Sequence, residues 1–166
     1  MVLVVLAATY VVARLLPSRS HGRRPPPDAA RVAMATTMAF TGVSHVVNPQ
    51  PFVQHLPDVV PAREEVIFVT GLLEMLFGVG LAAPSRRRRE VALALAAYLI
   101  AVFPANVYVA ATGKRIEGLP GASHPWLRLP LQGVYVAWAF WAVPGSWELA
   151  RTRAQQLRGA AVRAAR

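Results

Sequence analysis

EVIFVTGLLEMLFGVGLAA, residues 65–83, is the stretch that decides the fold. After Glu65 it carries a single ionisable side chain, Glu74, and it shows none of the strict alternation of a half-buried strand. A helix crossing a hydrocarbon core of ~30 Å needs about 20 consecutive apolar residues, and this run matches that requirement. Working outward, four further apolar segments appear: Val2 to Leu16 (short, and interrupted by Arg14), Ala29 to Val47, Val91 to Ala111, and Leu127 to Pro144. All are rich in Ala, Leu and Val and read as helices. The expected fold is therefore all-α, a polytopic membrane protein.

Hydrophobic residues make up 55% of the 166-residue chain and charged residues only 16%, yet the net charge is +10. Soluble domains are typically about 25% charged, so the two facts agree only if charge is segregated from the apolar runs. If all five segments span, Arg14, Arg19, Arg23, Arg24, Arg31, Arg86 to Arg89, Arg151, Arg153, Arg158, Arg163 and Arg166 fall on one side. That makes 14 basic residues against four, Arg63, Lys114, Arg115 and Arg128, on the other. Basic loops stay in the cytoplasm, so the expectation is a bacterial plasma-membrane protein with its N-terminus outside and its C-terminus inside. No A-x-A-like cleavage site follows Leu16, which argues against a removed signal peptide.

The organisation expected is an N-terminal helix with an Arg/Pro-rich cytoplasmic connector (1–28), a four-helix bundle (29–146) and a basic tail (147–166). Pro25-Pro26-Pro27 reads as a stiff connector leading into the second helix. Trp126 and Trp147 stand 21 positions apart, about 31 Å along one helix at ~1.5 Å per residue, which suits aromatic anchors at both interfaces of the last span. The tail from Trp147 to Arg166 reads as an amphipathic helix on the anionic inner leaflet, with Trp147, Ala150, Leu157 and Ala161 on its apolar side.

Several chemistries are excluded. The chain has no cysteine, so disulfides, thiolate metal sites, iron–sulfur clusters and cysteine nucleophiles are absent. No P-loop, G-x-G-x-x-G, G-x-S-x-G or H-E-x-x-H occurs. His45, His55 and Glu74 share no metal-ligand spacing, so no metal is expected. Only His45 is an embedded histidine, too few for bis-histidine haem. The arginines sit in short loops rather than on a folded basic face, so no nucleic-acid partner is expected.

The embedded polar residues carry the functional signal, because each needs compensation inside a membrane. Glu74 lies near the middle of its helix, flanked by Gly71, Gly78 and Gly80, which permit close helix approach. His45 lies near the outer end of the second segment. Asn106 follows Pro104 in the fourth, where the proline should free the carbonyl of Ile100. Arg128 opens the fifth segment, with Gln132 one turn deeper on the same face. Four helices thus send hydrogen-bonding groups to similar depth. Two readings stand: a ligand pocket built by His45, Glu74, Asn106, Arg128 and Gln132, or interhelical glue that includes a Glu74–Arg128 or Glu74–His45 contact.

Phe40-Thr41-Gly42-Val43-Ser44-His45 with Asn48-Pro49 and Phe52, the prolines Pro57 and Pro61, Thr70-Gly71-Leu72-Leu73-Glu74, Ala101-Val102-Phe103-Pro104-Ala105-Asn106, and Leu127-Arg128-Leu129-Pro130-Leu131-Gln132 together resemble the motifs of DoxX-like membrane proteins over roughly residues 29–145. The resemblance implies a four-helix transmembrane bundle of DoxX type plus one N-terminal transmembrane helix. It also implies a membrane subunit of a quinone-linked oxidoreductase complex, holding a quinone non-covalently and no covalent cofactor, with other membrane or redox proteins as partners. The same five polar residues carry over by position, without an assigned catalytic role. The alternative is a noncatalytic scaffold or assembly factor for partner membrane proteins.

Overall fold

The computed structural model describes residues 2–18, 22–23, 25–84, 86–114, 116 and 125–164. Ser85 and four of the counted arginines, Arg19, Arg24, Arg115 and Arg166, lie outside the described residues. The architecture is helical, as expected: α1 (Val2–Leu15), α2 (Pro26–Val47), the single turn α3 (Gln50–Val53), α4 (Arg63–Ala82), α5 (Arg88–Ala101), α6 (Phe103–Thr112), α7 (Arg128–Ala142) and α8 (Ser146–Ala164). Two-residue strands, β1 (Pro17–Ser18) and β2 (Gly22–Arg23), pair antiparallel between α1 and α2.

The connector before α2 is shorter than the sequence suggests, since the helix begins at Pro26. Proline is tolerated in the first turn because its missing N–H has no intrahelical partner there, and Asp28 complements the positive end of the helix dipole. Residues 88–112 form one apolar rod interrupted at Val102, just before Phe103-Pro104, where α5 gives way to α6.

By length and composition two helices can cross a membrane, Arg63–Ala82 and Arg88–Thr112, where the sequence suggests five spans. Only 28% and 22% of their apolar windows are buried; the core helix of a soluble protein buries most of its apolar residues. The other helices fall short for visible reasons. α1 has 14 residues, α7 has 15, and α2 has 22 but a more polar composition.

The last segment departs most from expectation. Trp126 and Trp147 do not share one helix: α7 ends at Ala142, and the chain turns through Val143 to Gly145, whose φ is +83°. Val143, extended as the residue before Pro144 must be, ends the helix, and the left-handed Gly145 frees the chain to change direction. Trp147 therefore belongs to α8, where it packs edge-on against Phe140 of α7 (ring centroids 5.4 Å apart).

α2 packs against α1, α4 and α7, with α5 joining through α4 and α7. The core lies in the half of the bundle that holds the start of α2 and the end of α4: Ala30, Ala33, Met34, Leu81, Ala92, Leu95 and Ala139. Small residues on α2 let its neighbours approach closely, and Trp138 of α7 donates its indole N–H to the Ala30 carbonyl at 3.0 Å. Tyr10 of α1 packs against both Trp138 and Trp141 with ring centroids 5.5 Å apart.

This half is also the basic end. Arg31 and Arg88 donate at 2.8 Å to the Leu81 and Ala83 carbonyls, capping the negative end of α4. A Cβ built at Gly145 would stand 2.8 Å from the Arg89 guanidinium, so the turn into α8 lies beside the start of α5. The opposite end carries α3, the Arg63–Asp58 ion pair (2.5 Å) and Arg128.

Candidate functional site

The polar residues occupy the half of the bundle opposite the basic end, and glycine contacts position the first of them. A Cβ at Gly42 would lie 2.5 Å from the Gly71 carbonyl oxygen, and one at Gly71 would lie 2.9 Å from that of Gly42. The α2 and α4 backbones therefore touch at these residues. The two helices run antiparallel, so His45 falls beside Gly71, 2.8 Å from a Cβ built there, and the Glu74 side chain, one turn along α4 on the same face, reaches back to it. His45 Nδ1 is 3.7 Å from Glu74 Oε2 and 3.3 Å from Thr70 Oγ1. The Thr70 hydroxyl donates to the Ile67 carbonyl (2.9 Å), leaving its oxygen to accept from the imidazole.

The Glu74 carboxyl is 8% exposed, and its Oε1 accepts a 2.9 Å hydrogen bond from the Tyr98 hydroxyl of α5. The Thr41 side chain adjoins the same carboxyl. Glu74 Oε2 is buried without a hydrogen-bond partner.

A second set forms where α5 breaks. Gln132 of α7 donates at 2.5 Å to the Leu99 carbonyl, and its Oε1 accepts from Asn106 Nδ2 of α6 at 3.2 Å. The side-chain amide thus takes up a carbonyl at the break, but that of Leu99 rather than Ile100, one residue earlier than the proline alone suggests. Each primary amide has two N–H donors, and these bonds use one from each.

A third set joins Arg128 to His55. His55 Nδ1 donates to the Pro51 carbonyl at 2.8 Å, which leaves Nε2 free to accept from Arg128 Nη1. Burial lowers the His55 pKa to about 4; the Pro51 bond opposes it, and the charges of Arg128 and Lys114 add smaller lowering effects. The ring is therefore neutral at pH 7 and serves the guanidinium as an acceptor.

The three sets are joined through the chain. Tyr98 and Leu99 are adjacent in α5, linking Glu74 to Gln132. Gln132 and Arg128 are one helical turn apart. Phe52 lies against both His45 (4.0 Å between ring centroids) and His55 (6.5 Å), and closes the circuit. The five residues singled out in the sequence thus belong to one ring of contacts around this end of the bundle. They do not converge on Glu74; of the other four, only His45 reaches the carboxyl. Tyr98 is a member that sequence reasoning misses, and His55 enters as an arginine partner rather than a metal ligand. Among the described residues no group of three or more His, Asp or Glu side chains is placed to hold a metal.

Beside the amide pair lies an open groove of about 660 Å³ between α7 and the α5–α6 break. Its walls include Ile100, Phe103, Leu129, Val136, Phe140 and Trp147, with Gln132 as its amide-bearing residue. Gly133 opens onto it, and a Cβ there would meet nothing within 4 Å. A mostly apolar groove of several hundred Å³ with few polar groups has the character of a site for a lipophilic molecule.

Residues 34–143 match the family described as a domain of unknown function, DUF8561. Neither the curated proteins nor the solved structures yield a match. The matched stretch contains the whole ring and most of the groove, and leaves α1 and α8 outside it.

Proposed function

This chain belongs to the DUF8561 family, and from that premise we propose that it is a multi-pass membrane protein holding a quinone-class ligand as the membrane subunit of a redox complex. The observation that carries the reading is the groove of about 660 Å³ with Gln132 at its wall, its side-chain oxygen held by Asn106. A quinone needs N–H donors for its carbonyls and an apolar channel for its ring and tail. Gln132, oriented by Asn106, would supply an N–H donor, and Ile100, Phe103, Val136 and Phe140 the apolar walls. A bound quinone supplies two-electron, two-proton chemistry; the chain's own residues orient it and keep water away.

The membrane placement is supported by the outer faces of the helices. Phe68, Leu72, Leu76 and Val79 of α4 are exposed by 41 to 65%, an apolar face that lipid covers without cost. In this reading α1, α2, α4, α5 with α6, and α7 cross the bilayer, the basic end faces the cytoplasm and the ring lies in the outer half. The DoxX-like motifs fit the same arrangement.

The test is chemical. Protein purified in mild detergent should release a quinone on solvent extraction, or bind an added short-chain ubiquinone analogue. Gly133→Leu, which fills the groove, should abolish retention without loss of folding. Wild-type protein that carries no quinone and binds none of the analogue would refute the assignment. A second reading rests on Gly133 and Ala137, four residues apart in the groove. Small residues at this spacing admit a partner helix, and the protein would then be a noncatalytic scaffold. Loss of a co-purifying membrane protein in Gly133→Leu, with no quinone found, supports that alternative.

A further inference from the structure

α8 leaves the bundle at Gly145 and lies outside the family domain. Its first turn is anchored: Ser146 is fully buried and donates to the Val143 carbonyl at 2.7 Å, and Trp147 packs on Phe140. Beyond Ala150 almost every described side chain is exposed. At ~100° per residue, Trp147, Ala150, Ala154, Leu157 and Ala161 fall within an arc of about 80°. Leu157 is 72% exposed, and beyond Ala150 the stripe meets no partner among the described residues.

The arginines are placed with respect to that stripe. Arg151 and Arg158 border it on one side and Arg153 on the other, while Gly159 lies opposite. Arg151, Arg153, Arg158 and Arg163 against Glu148 give the helix a net charge of +3. Arg31 and Arg86 to Arg89 cluster at the same end of the bundle. An apolar strip bordered by long cationic side chains suits a helix lying in the plane of a bilayer, where the strip enters the acyl boundary and the guanidinium groups reach phosphate.

We propose that α8 is a docking surface for anionic phospholipid, lying along the membrane face at the basic end of the bundle. The stripe alone partitions weakly, since three of its five members are alanine. The charge is what holds it, each Arg near an anionic surface contributing independently. Binding is therefore conditional on lipid composition, and α8 lifts from neutral bilayers. This inference rests on the membrane reading above.

The chain has no native cysteine, so single-cysteine chemistry is clean. Leu157→Cys on the stripe and Gly159→Cys on the opposite face are each made in the full-length protein and reconstituted into nanodiscs. One set of nanodiscs is pure phosphatidylcholine and the other contains phosphatidylglycerol. Labelling is by a water-soluble maleimide, and the ratio of the two rates cancels any effect of surface charge on the reagent. In anionic nanodiscs the Leu157→Cys variant should react severalfold more slowly than the Gly159→Cys variant; in neutral ones the rates should converge. Adding Arg151→Gln, Arg153→Gln and Arg158→Gln together should restore fast labelling of the Leu157→Cys variant in anionic nanodiscs. Equal protection in both lipids, or none in either, overturns the inference. Protection that appears only when RNA or an acidic protein is added assigns the face to that partner and also overturns it. Failure to enter nanodiscs at all overturns both this inference and the membrane reading.

Discussion

The Tyr98 hydroxyl donates a 2.9 Å hydrogen bond to Glu74 Oε1 across the α4–α5 interface, while Oε2 of the same buried carboxyl accepts none. His45 Nδ1, at 3.7 Å, is beyond hydrogen-bonding distance of Oε2. The Tyr98 hydroxyl and the adjoining Thr41 side chain therefore share the compensation for a polar group set among apolar helices. Tyr98→Phe should destabilise the bundle by about 1 kcal/mol, within the range of interhelical side-chain hydrogen bonds in membranes. Unfolding in a denaturing-detergent titration measures it; unchanged stability would mean that the bond contributes nothing.

Glu74→Gln keeps the size of the side chain and an oxygen for Tyr98, and adds N–H donors facing Thr41 and His45. Stability should change by no more than ~0.6 kcal/mol, the mean value of a membrane side-chain hydrogen bond. Ligand retention should also survive, because Gln132 rather than Glu74 borders the groove. Loss of extractable quinone in Glu74→Gln, with folding intact, would move the ligand site to the carboxyl.

Gly42 and Gly133 should respond in opposite ways to the same added methyl group. At Gly42 the new Cβ meets the Gly71 carbonyl oxygen at 2.5 Å and Met75 at 2.7 Å; at Gly133 it meets nothing within 4 Å. Gly42→Ala should cost about 1–3 kcal/mol, as overpacking does when backbone must move. Gly133→Ala should be neutral or slightly stabilising. The same unfolding titration compares them.

His55 couples this end of the bundle to pH. Its pKa is about 4 in the folded protein, against ~6.5 for an unperturbed histidine. The unfolded state binds more protons between those values, so stability rises with pH across that window and is lost as pH falls from about 6.5 to about 4. Protonation also sets two cations against each other, His55 and Arg128. The thermal midpoint in detergent should fall on acidification from pH 7 to pH 4.5. His55→Gln, which retains an acceptor for Arg128, should flatten that dependence.

Topology is open to direct labelling. Ser85→Cys, in the sequence between α4 and α5, should resist an impermeant thiol reagent added to intact cells and react once the membrane is opened. Val59→Cys, exposed at the end opposite Arg86 to Arg89, should react in intact cells. The reverse pattern would invert the orientation.

Much of this protein was legible in one dimension because the relevant physics is local. The apolar runs, the glycines around Glu74 and the clustering of arginine can each be read from neighbouring residues. The glycine face correctly announces close approach on α4, and the contact made is with Gly42 of α2. The break at Pro144-Gly145 was also written locally. Apolar continuity through Trp147 masked it, since hydropathy registers neither the extended Val143 that ends α7 nor the φ of +83° at Gly145 that turns the chain into α8.

Partner choice was not legible. Nothing near Tyr98 marks it as the donor to Glu74, 24 positions away, and nothing near His55 marks it as the acceptor for Arg128, 73 positions away. A tyrosine in an apolar helix reads the same whether its hydroxyl faces lipid or a carboxyl. The sequence alone determined that the fold is helical, which residues must be compensated if buried, and where along the chain the charge is clustered, because composition and spacing govern those properties. Only the tertiary structure decided that the compensation runs as a ring rather than converging on one pocket. Helix rotation and crossing at the Gly42–Gly71 contact set which faces meet, and that depends on all the neighbouring helices at once.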